Sequence, residues 1–543
     1  MTAIAPPDRR WVFGPIPDLL FGCGLGYAAL ITIIAFLPFE LQTLALAGTV
    51  GSLVIGAPHY GATLMRVYRR AEDRRKYRLF TVYLSLFVWL WFGAGLYHVA
   101  LGSALITLYF TWSPYHYTGQ NYGLAVMFLR RRGIAFDDAT KKWLYASFML
   151  SFALSFVSLH RHMGGVSTGG DFSGTPYYFI HLGIPLGVQT TVFAGLLGLY
   201  GIATVVAFGK LLSVARPIDL LPVAALVLAQ ALWFSVPETW LWLTGTALSS
   251  QGVGWLFIWA ILGHSVQYLW ITSYYAVGRE GGRKRWAYLF STLGAGSAIW
   301  TLPALVFSPQ LFGTHPYSLG LFLMITAGVN VHHFILDGAI WKLRDTGVGA
   351  VLLAEAAPES KPGHRAQEPN WLGPLGWALA GAFTLLSLFG AAEDIRWEQA
   401  FYGAKIDQAR SSAARLTLIG RADPRFALTD ARAAAAAGDV EGAEKAYQRS
   451  LELYPTAEAY FGVAALREQE GDRAASREAL QRSLSINDQH AGAHRMLGRS
   501  FIREGDFDQG IVHLTRAAQL VPDPRPIQKE IVAARARKKR AAR

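Results

Sequence analysis

The chain has almost no cysteine and little charge. Cys23 is the single cysteine in 543 residues. No intrachain disulfide can form, and no CxxCH offers covalent attachment for haem. Charged residues make up 16% and hydrophobic residues 52%, with 17 Trp, and the mean hydropathy is +0.27. Soluble globular chains carry about a quarter charged residues. The composition therefore excludes that class and points to a polytopic membrane protein. The formal net charge of +13 is no nucleic-acid signature. Most of it lies in short loops between apolar runs, where Lys and Arg set orientation.

The apolar runs cover 18–38, 42–65, 79–101, 102–128, 143–159, 177–208, 217–235, 252–277, 287–306, 317–341 and 371–392. Each is long enough to cross the hydrocarbon layer as a helix. The first, after a basic start, has no clear AxA site and reads as an uncleaved span. The stretch 238–250 reads as a re-entrant or interfacial piece. Loops at 66–78, 130–142, 210–216, 279–285 and 341–345 are basic, whereas 162–176 and 308–316 are nearly free of Lys and Arg. The positive-inside rule puts the basic loops and the N-terminus in the cytoplasm. An odd span count then puts everything after residue 392 on the far side of a bacterial inner membrane.

Residues 1–345 are thus expected to form the membrane core, 346–370 a cytoplasmic linker and 371–392 the last span. A helical connector (393–423) leads to a repeat region. Gly-Asp pairs begin similar segments at Gly438, Gly471 and Gly505, at spacings of 33 and 34 residues. This period resembles the tetratricopeptide repeat, a helix–turn–helix unit, over 424–523. The resemblance implies an α-solenoid with a concave face for a protein partner. Ala443, Ala475 and the column Tyr447, Leu480 and Leu514 are expected to pack each pair, and 524–543 forms a solvated basic tail. The fold class is all-α: a bundle of ten or eleven transmembrane helices followed by a tetratricopeptide (TPR) solenoid.

The chemistry is expected in the membrane. Ionisable side chains at that depth are costly and generally functional. Of 14 histidines, His490, His494 and His513 fall in the repeats and His364 in the linker. His98, His160, His162, His181 and His315 fall in outward loops or at span ends. His59, His116, His264, His332 and His333 lie within the second, fourth, eighth and tenth runs, all oriented outside to inside. From His59 to Arg66 is 7 residues, from His116 to Arg130 14, from His264 to Arg279 15 and from His333 to Lys342 9. At about 1.5 Å per residue these are depths of roughly 10 to 22 Å. Four helices can therefore deliver imidazoles to one polar pocket. Gln120, Gln267 and Asp337 stand three or four residues after His116, His264 and His333, on the same helical faces. Gln120 and Gln267 are expected to orient ligand imidazoles, with Asp337 a ligand or proton acceptor. His59, His116, His264, His332 and His333 are the candidate metal ligands; His333 shares its face with Asp337 and is the stronger of the adjacent pair, while His332 can also face a neighbouring helix. The bland alternative is interhelical hydrogen bonding.

The APHYGA segment around His59, with histidines spread over about ten spans, resembles the bacterial Brp/Blh family of membrane β-carotene dioxygenases. That resemblance implies iron at His59, His116, His264 and His333 and oxidative chemistry on a lipid-soluble substrate. The HxxxH and HxxHH boxes of membrane desaturases are absent. Haem b between paired histidines is the alternative cofactor, giving an electron-transfer protein. The non-enzymatic alternatives are a TPR assembly scaffold or a proton-coupled transporter with Asp337 and the histidines as relay. No internal symmetry marks inverted transporter repeats. Expected partners are the bilayer, a protein bound by the repeats and a lipid-soluble small molecule, with no nucleic acid.

Overall fold

The computed structural model describes residues 10–36, 47–69, 71–160, 175–245, 253–280, 285–343, 346–353, 373–403, 405–521 and 524–541. The fold is all-α, with no strand among these residues. The apolar half contains α1 (Leu25–Phe36), α2 (Ala57–Tyr68), α3 (Leu79–Tyr97), α4 (Val99–Arg131), α5 (Asp138–Leu159), α6 (Leu186–Leu212), α7 (Pro217–Thr244), α8 (Val253–Glu280), α9 (Arg285–Val306), α10 (Leu321–Ile340) and α11 (Pro374–Tyr402). Seven of these are long and apolar enough to cross a membrane: α3, α5, α6, α7, α9, α10 and α11. The segment Pro15–Gly22 and α1 together qualify as a bent pair with an angle of 58°. Helices α4 and α8 have the length, with 33 and 28 residues. They fall short in apolarity because they carry His116, Gln120, Asn121, His264 and Gln267.

Two compact units form. One comprises residues 1–163, 179–303 and 324–391, the other 164–178, 304–323 and 392–543. Within the first, α10 is the central helix, with 72% of its apolar window buried, whereas only 6% of that of α11 is buried. Helices α2 and α9 cross at two glycines. A Cβ on Gly61 would overlap the Thr292 carbonyl, and one on Gly296 the Ala57 carbonyl. Bare backbone is what lets apolar helices approach this closely. Ahead of α1, buried Asp18 accepts from the Val12 amide (2.6 Å), the Phe13 amide (3.1 Å) and the Trp270 indole (3.1 Å). These bonds tie the chain's start to α8.

Several sequence boundaries move. The first run breaks between Gly22 and Leu25. The sixth helix starts only after Pro185, at Leu186. Residues 238–244 continue a helix, and 246–250 of the stretch expected to be re-entrant or interfacial lie outside the described residues. A π-helical turn at Ala231–Ser235 carries α7 on to Thr244, and Gly245, in the left-handed conformation, ends it. The extra residue of such a turn lets Gln230 donate to Thr118 (2.8 Å) and Ser235 meet Ser151 (2.6 Å), so the backbone adapts to polar ties. The beginning of the expected linker is a helix, Thr346–Leu352, with Val348 and Leu352 buried. Residues 354–370, with His364, lie outside the described residues, as does His162.

In the second unit, α12 (Ile406–Thr417) precedes three helix pairs: α13 (Pro424–Ala436) with α14 (Val440–Leu453), α15 (Ala457–Glu470) with α16 (Arg473–Ile486), and α17 (Ala491–Glu504) with α18 (Phe507–Gln519). A last helix, α19 (Arg525–Ala541), packs on α18. Asp439, Asp472 and Asp506 each cap the second helix of a pair, accepting from the Gly442, Ala475 and Gln509 amides at 2.9–3.1 Å. Such side-chain caps satisfy otherwise orphaned helix N–H groups. The glycine before each cap has a φ of +79°, +83° or +87°, which favours glycine. Ala443, Tyr447, Leu480 and Leu514 are buried. Ala475 is only half-buried. Its neighbour Ser476 takes the packing position instead, donating to the Ala464 carbonyl at 3.0 Å. Helix α19 is less solvated than its charge suggests, since Ile527 and Ala534 are buried.

Candidate metal centre

Four helices of the first unit place imidazoles together. His59 comes from the start of α2, His116 from the middle of α4 two residues past Pro114, His264 from α8 and His333 from α10. Ring centroids lie 4.4 Å apart for His59 and His333, 4.9 Å for His59 and His264, 5.0 Å for His116 and His264 and 5.1 Å for His116 and His333. Ligand atoms of His59, His264 and His333 lie within 4.8 Å of one another, and so do those of His116, His333 and Asp337. His333 is common to both groups. The Asp337 Oδ2 lies 3.4 Å from His333 Nε2 and 3.9 Å from His116 Nε2. His59 and His264 are each 1% exposed.

The nitrogens of these rings test whether the residues suit a metal. A neutral imidazole has one N–H and one lone pair, and buried polar atoms normally have partners. His264 has no hydrogen-bond partner on either nitrogen. His59 Nδ1, His116 Nε2 and His333 Nε2 also have none. Five buried nitrogens are thus orphaned within one small volume. Each unsatisfied polar group costs on the order of 1–3 kcal/mol. A cation bound by lone pairs removes much of that cost, and imidazoles with a carboxylate suit iron, zinc or copper. The donor set therefore fits a metal ion.

Around the cluster lies a hydroxyl network. Thr63 Oγ1 is 2.9 Å from His333 Nδ1 and donates to Asp337 Oδ1 at 2.9 Å. Tyr268 OH donates to the same Asp337 Oδ1 at 2.8 Å and accepts from the Trp341 indole at 3.0 Å. With the Thr63 proton on Asp337, Nδ1 of His333 must be the donor to Thr63. Its Nε2 then keeps the lone pair and faces the cluster, which is how an outer partner fixes the tautomer of a ligand histidine. Tyr117 stacks on His264 with centroids 4.1 Å apart.

Not every expected residue joins. His332 turns away, its Nε2 2.9 Å from Ser85 Oγ and its ring alongside Tyr68 and Trp89. Being 100° from His333 on the helix, it cannot share that face. Gln120 and Gln267 spend their amides on other partners than the imidazole rings. Gln120 donates to Gln267 Oε1 (3.1 Å) and to the His264 carbonyl (3.4 Å), and Gln267 donates to the Gly22 carbonyl (3.2 Å). They knit α4, α8 and the N-terminal segment rather than orient a ring. The residues that do orient ligands are Thr63, Tyr268 and Trp341. They stand four after His59, His264 and Asp337, the same spacing that singles out Gln120 and Asp337. His315 is buried in the second unit beside Tyr177 and Tyr454.

Compared with known proteins, the chain matches no protein-family model and no curated protein.

Proposed function

We propose that the chain is an integral membrane oxidoreductase whose His59, His116, His264 and His333, with Asp337, hold a non-haem iron ion and act on a lipid-soluble molecule. The observation that carries this reading is the set of orphaned imidazole nitrogens facing one another deep in an apolar bundle. Iron bound there would supply electron-transfer chemistry with dioxygen. The chain's own residues keep the ligands neutral and aimed: Thr63 sets the His333 tautomer, and Thr63 and Tyr268 together hold Asp337 Oδ1 so that Oδ2 points inward. Packed Phe334, Tyr117 and Tyr60 exclude water. Five of the six pairs of imidazole centroids lie 4.4–6.5 Å apart, which leaves room for an ion and none for a porphyrin among the four rings and favours iron over haem b. The helix pairs over 424–523 are read as a tetratricopeptide array on the extracytoplasmic side of the inner membrane, where they recruit a protein partner.

Elemental analysis by mass spectrometry with an optical spectrum of detergent-purified protein tests the metal. Near-stoichiometric iron without a Soret band is expected. A Soret band, or no metal in the wild-type protein, overturns the reading.

A further inference from the structure

The cluster is walled on one side and bare on the other. A Cβ on Gly61, Gly263 or Gly296 would run into neighbouring atoms. The opposite holds beside His116, the member that keeps the most exposure, with 11% for its side chain against 3% for His333 and 4% for Asp337. Gly119 and Gly123 follow it by three and seven residues, on its own face of α4. A Cβ at either would meet nothing within 4 Å among the described residues. On α10, Gly338 directly follows Asp337, is exposed and is equally open. From Trp112 to Gly123 helix α4 carries no Asp, Glu, Lys or Arg. At the head of this strip, Phe334 stacks on His116 (4.5 Å) and lies 6.0 Å from Trp112. The buried, unpartnered Nε2 atoms of His116 and His333 meet there beside Asp337.

We propose that this strip is the lateral entrance to the site, through which an uncharged molecule dissolved in the bilayer reaches the metal. The proposal rests on the metal reading above. The occupant is a slender apolar chain, because the opening beside His116 comes from single side chains missing at Gly119, Gly123 and Gly338, and no charged residue stands on α4 from Trp112 to Gly123 to greet a headgroup.

The test uses the metal-loaded full chain in lipid vesicles and two chelators, an uncharged phenanthroline and its sulfonated analogue. Metal content is measured first. The uncharged chelator is expected to strip the wild-type protein at least tenfold faster than the charged one. Gly119→Leu and Gly338→Leu should load the same amount of metal yet lose it to the uncharged chelator at least tenfold more slowly. Gly195→Leu, at another exposed and open position on α6, should strip at the wild-type rate. Equal rates for the two chelators, no slowing in the plugged variants, or equal slowing in Gly195→Leu overturns the entrance while the metal site stands. A wild-type protein that loads no metal overturns both.

Discussion

At the scale of single residues, the site turns on which nitrogen of each imidazole is free. His333 differs from His332 not in burial but in partners. His332 Nε2 meets Ser85, whereas His333 meets Thr63 through Nδ1 and leaves Nε2 unpartnered. His264→Ala and His333→Ala should therefore abolish metal binding, while His332→Ala retains it. Elemental analysis of the three purified variants checks this, and equal metal content in all three would remove the distinction. The outer hydroxyl makes a finer test. Thr63→Val keeps the shape but removes the group that sets the His333 tautomer, and should weaken metal affinity by roughly 10- to 100-fold. Thr63→Ser should restore it. A competition titration with a chromophoric chelator reads the difference, and an unchanged affinity in Thr63→Val would leave the hydroxyl without a role. These partners were legible in principle: the i+4 spacing that exposes Asp337 behind His333 equally exposes Thr63 behind His59. Scanning for amides and carboxylates alone passes over hydroxyls. Gln120 and Gln267 satisfy the spacing yet serve helix contacts, because a shared face says nothing of which neighbour an amide will meet.

At the scale of elements, His59 depends on how closely α2 lies against α9. Gly61, two residues on, has no space for a methyl group, since the Thr292 carbonyl occupies it. Gly61→Ala should force the helices apart, costing about 1–3 kcal/mol as overpacking does, and lower metal content with it. A fall in the melting temperature of the detergent-solubilised protein is the expected readout, and an unchanged melt would contradict the close crossing. The last helix offers a pH test outside the membrane. Glu530 of α19 accepts from Arg499 Nε (2.8 Å) and from Arg495 Nε (3.0 Å). Arg499 first and Arg495 second hold its carboxyl down to about 2, against an ordinary 4.5. A depressed carboxylate stabilises the folded state fully above its unfolded pKa and loses that contribution as pH falls through the folded value. The clamp should thus be intact above about pH 4.5 and fade toward pH 2, with a modest effect because both arginines keep part of their side chains in solvent. Amide exchange over Arg525–Ala541 should differ between wild type and Glu530→Gln at neutral pH, and the difference should shrink through that window. A constant difference at all pH values would mean that packing of Ile527 and Ala534, not charge, holds the helix.

At the scale of the whole molecule, hydropathy revealed most of the helices and missed how some of them bend. Period and length locate α3, α5, α9 and α10 closely, because a membrane helix must satisfy its own backbone and so declares itself as an apolar run. The break after Gly22 and the π turn inside α7 were not legible, since both answer to tertiary partners, Trp270 for Asp18 and Thr118 for Gln230. The gathering of four histidines from residues 59, 116, 264 and 333 was legible only as a shared depth. Which faces meet is set by helix packing, and no single helix encodes it. The same parity of spans makes a last prediction about orientation. Basic loops recur after every second run, so 354–370 is expected in the cytoplasm and α11 is expected to return the chain to the far side. A protease site inserted into 354–370 should be cut in inverted vesicles and protected in spheroplasts. Cleavage within 424–523 should show the reverse. With 238–244 continuing α7, the expected count of eleven runs stays odd. Cleavage of both segments from one side would mean that one of the eleven runs does not cross, with the more polar α4 and α8 and the bent first segment the places to look.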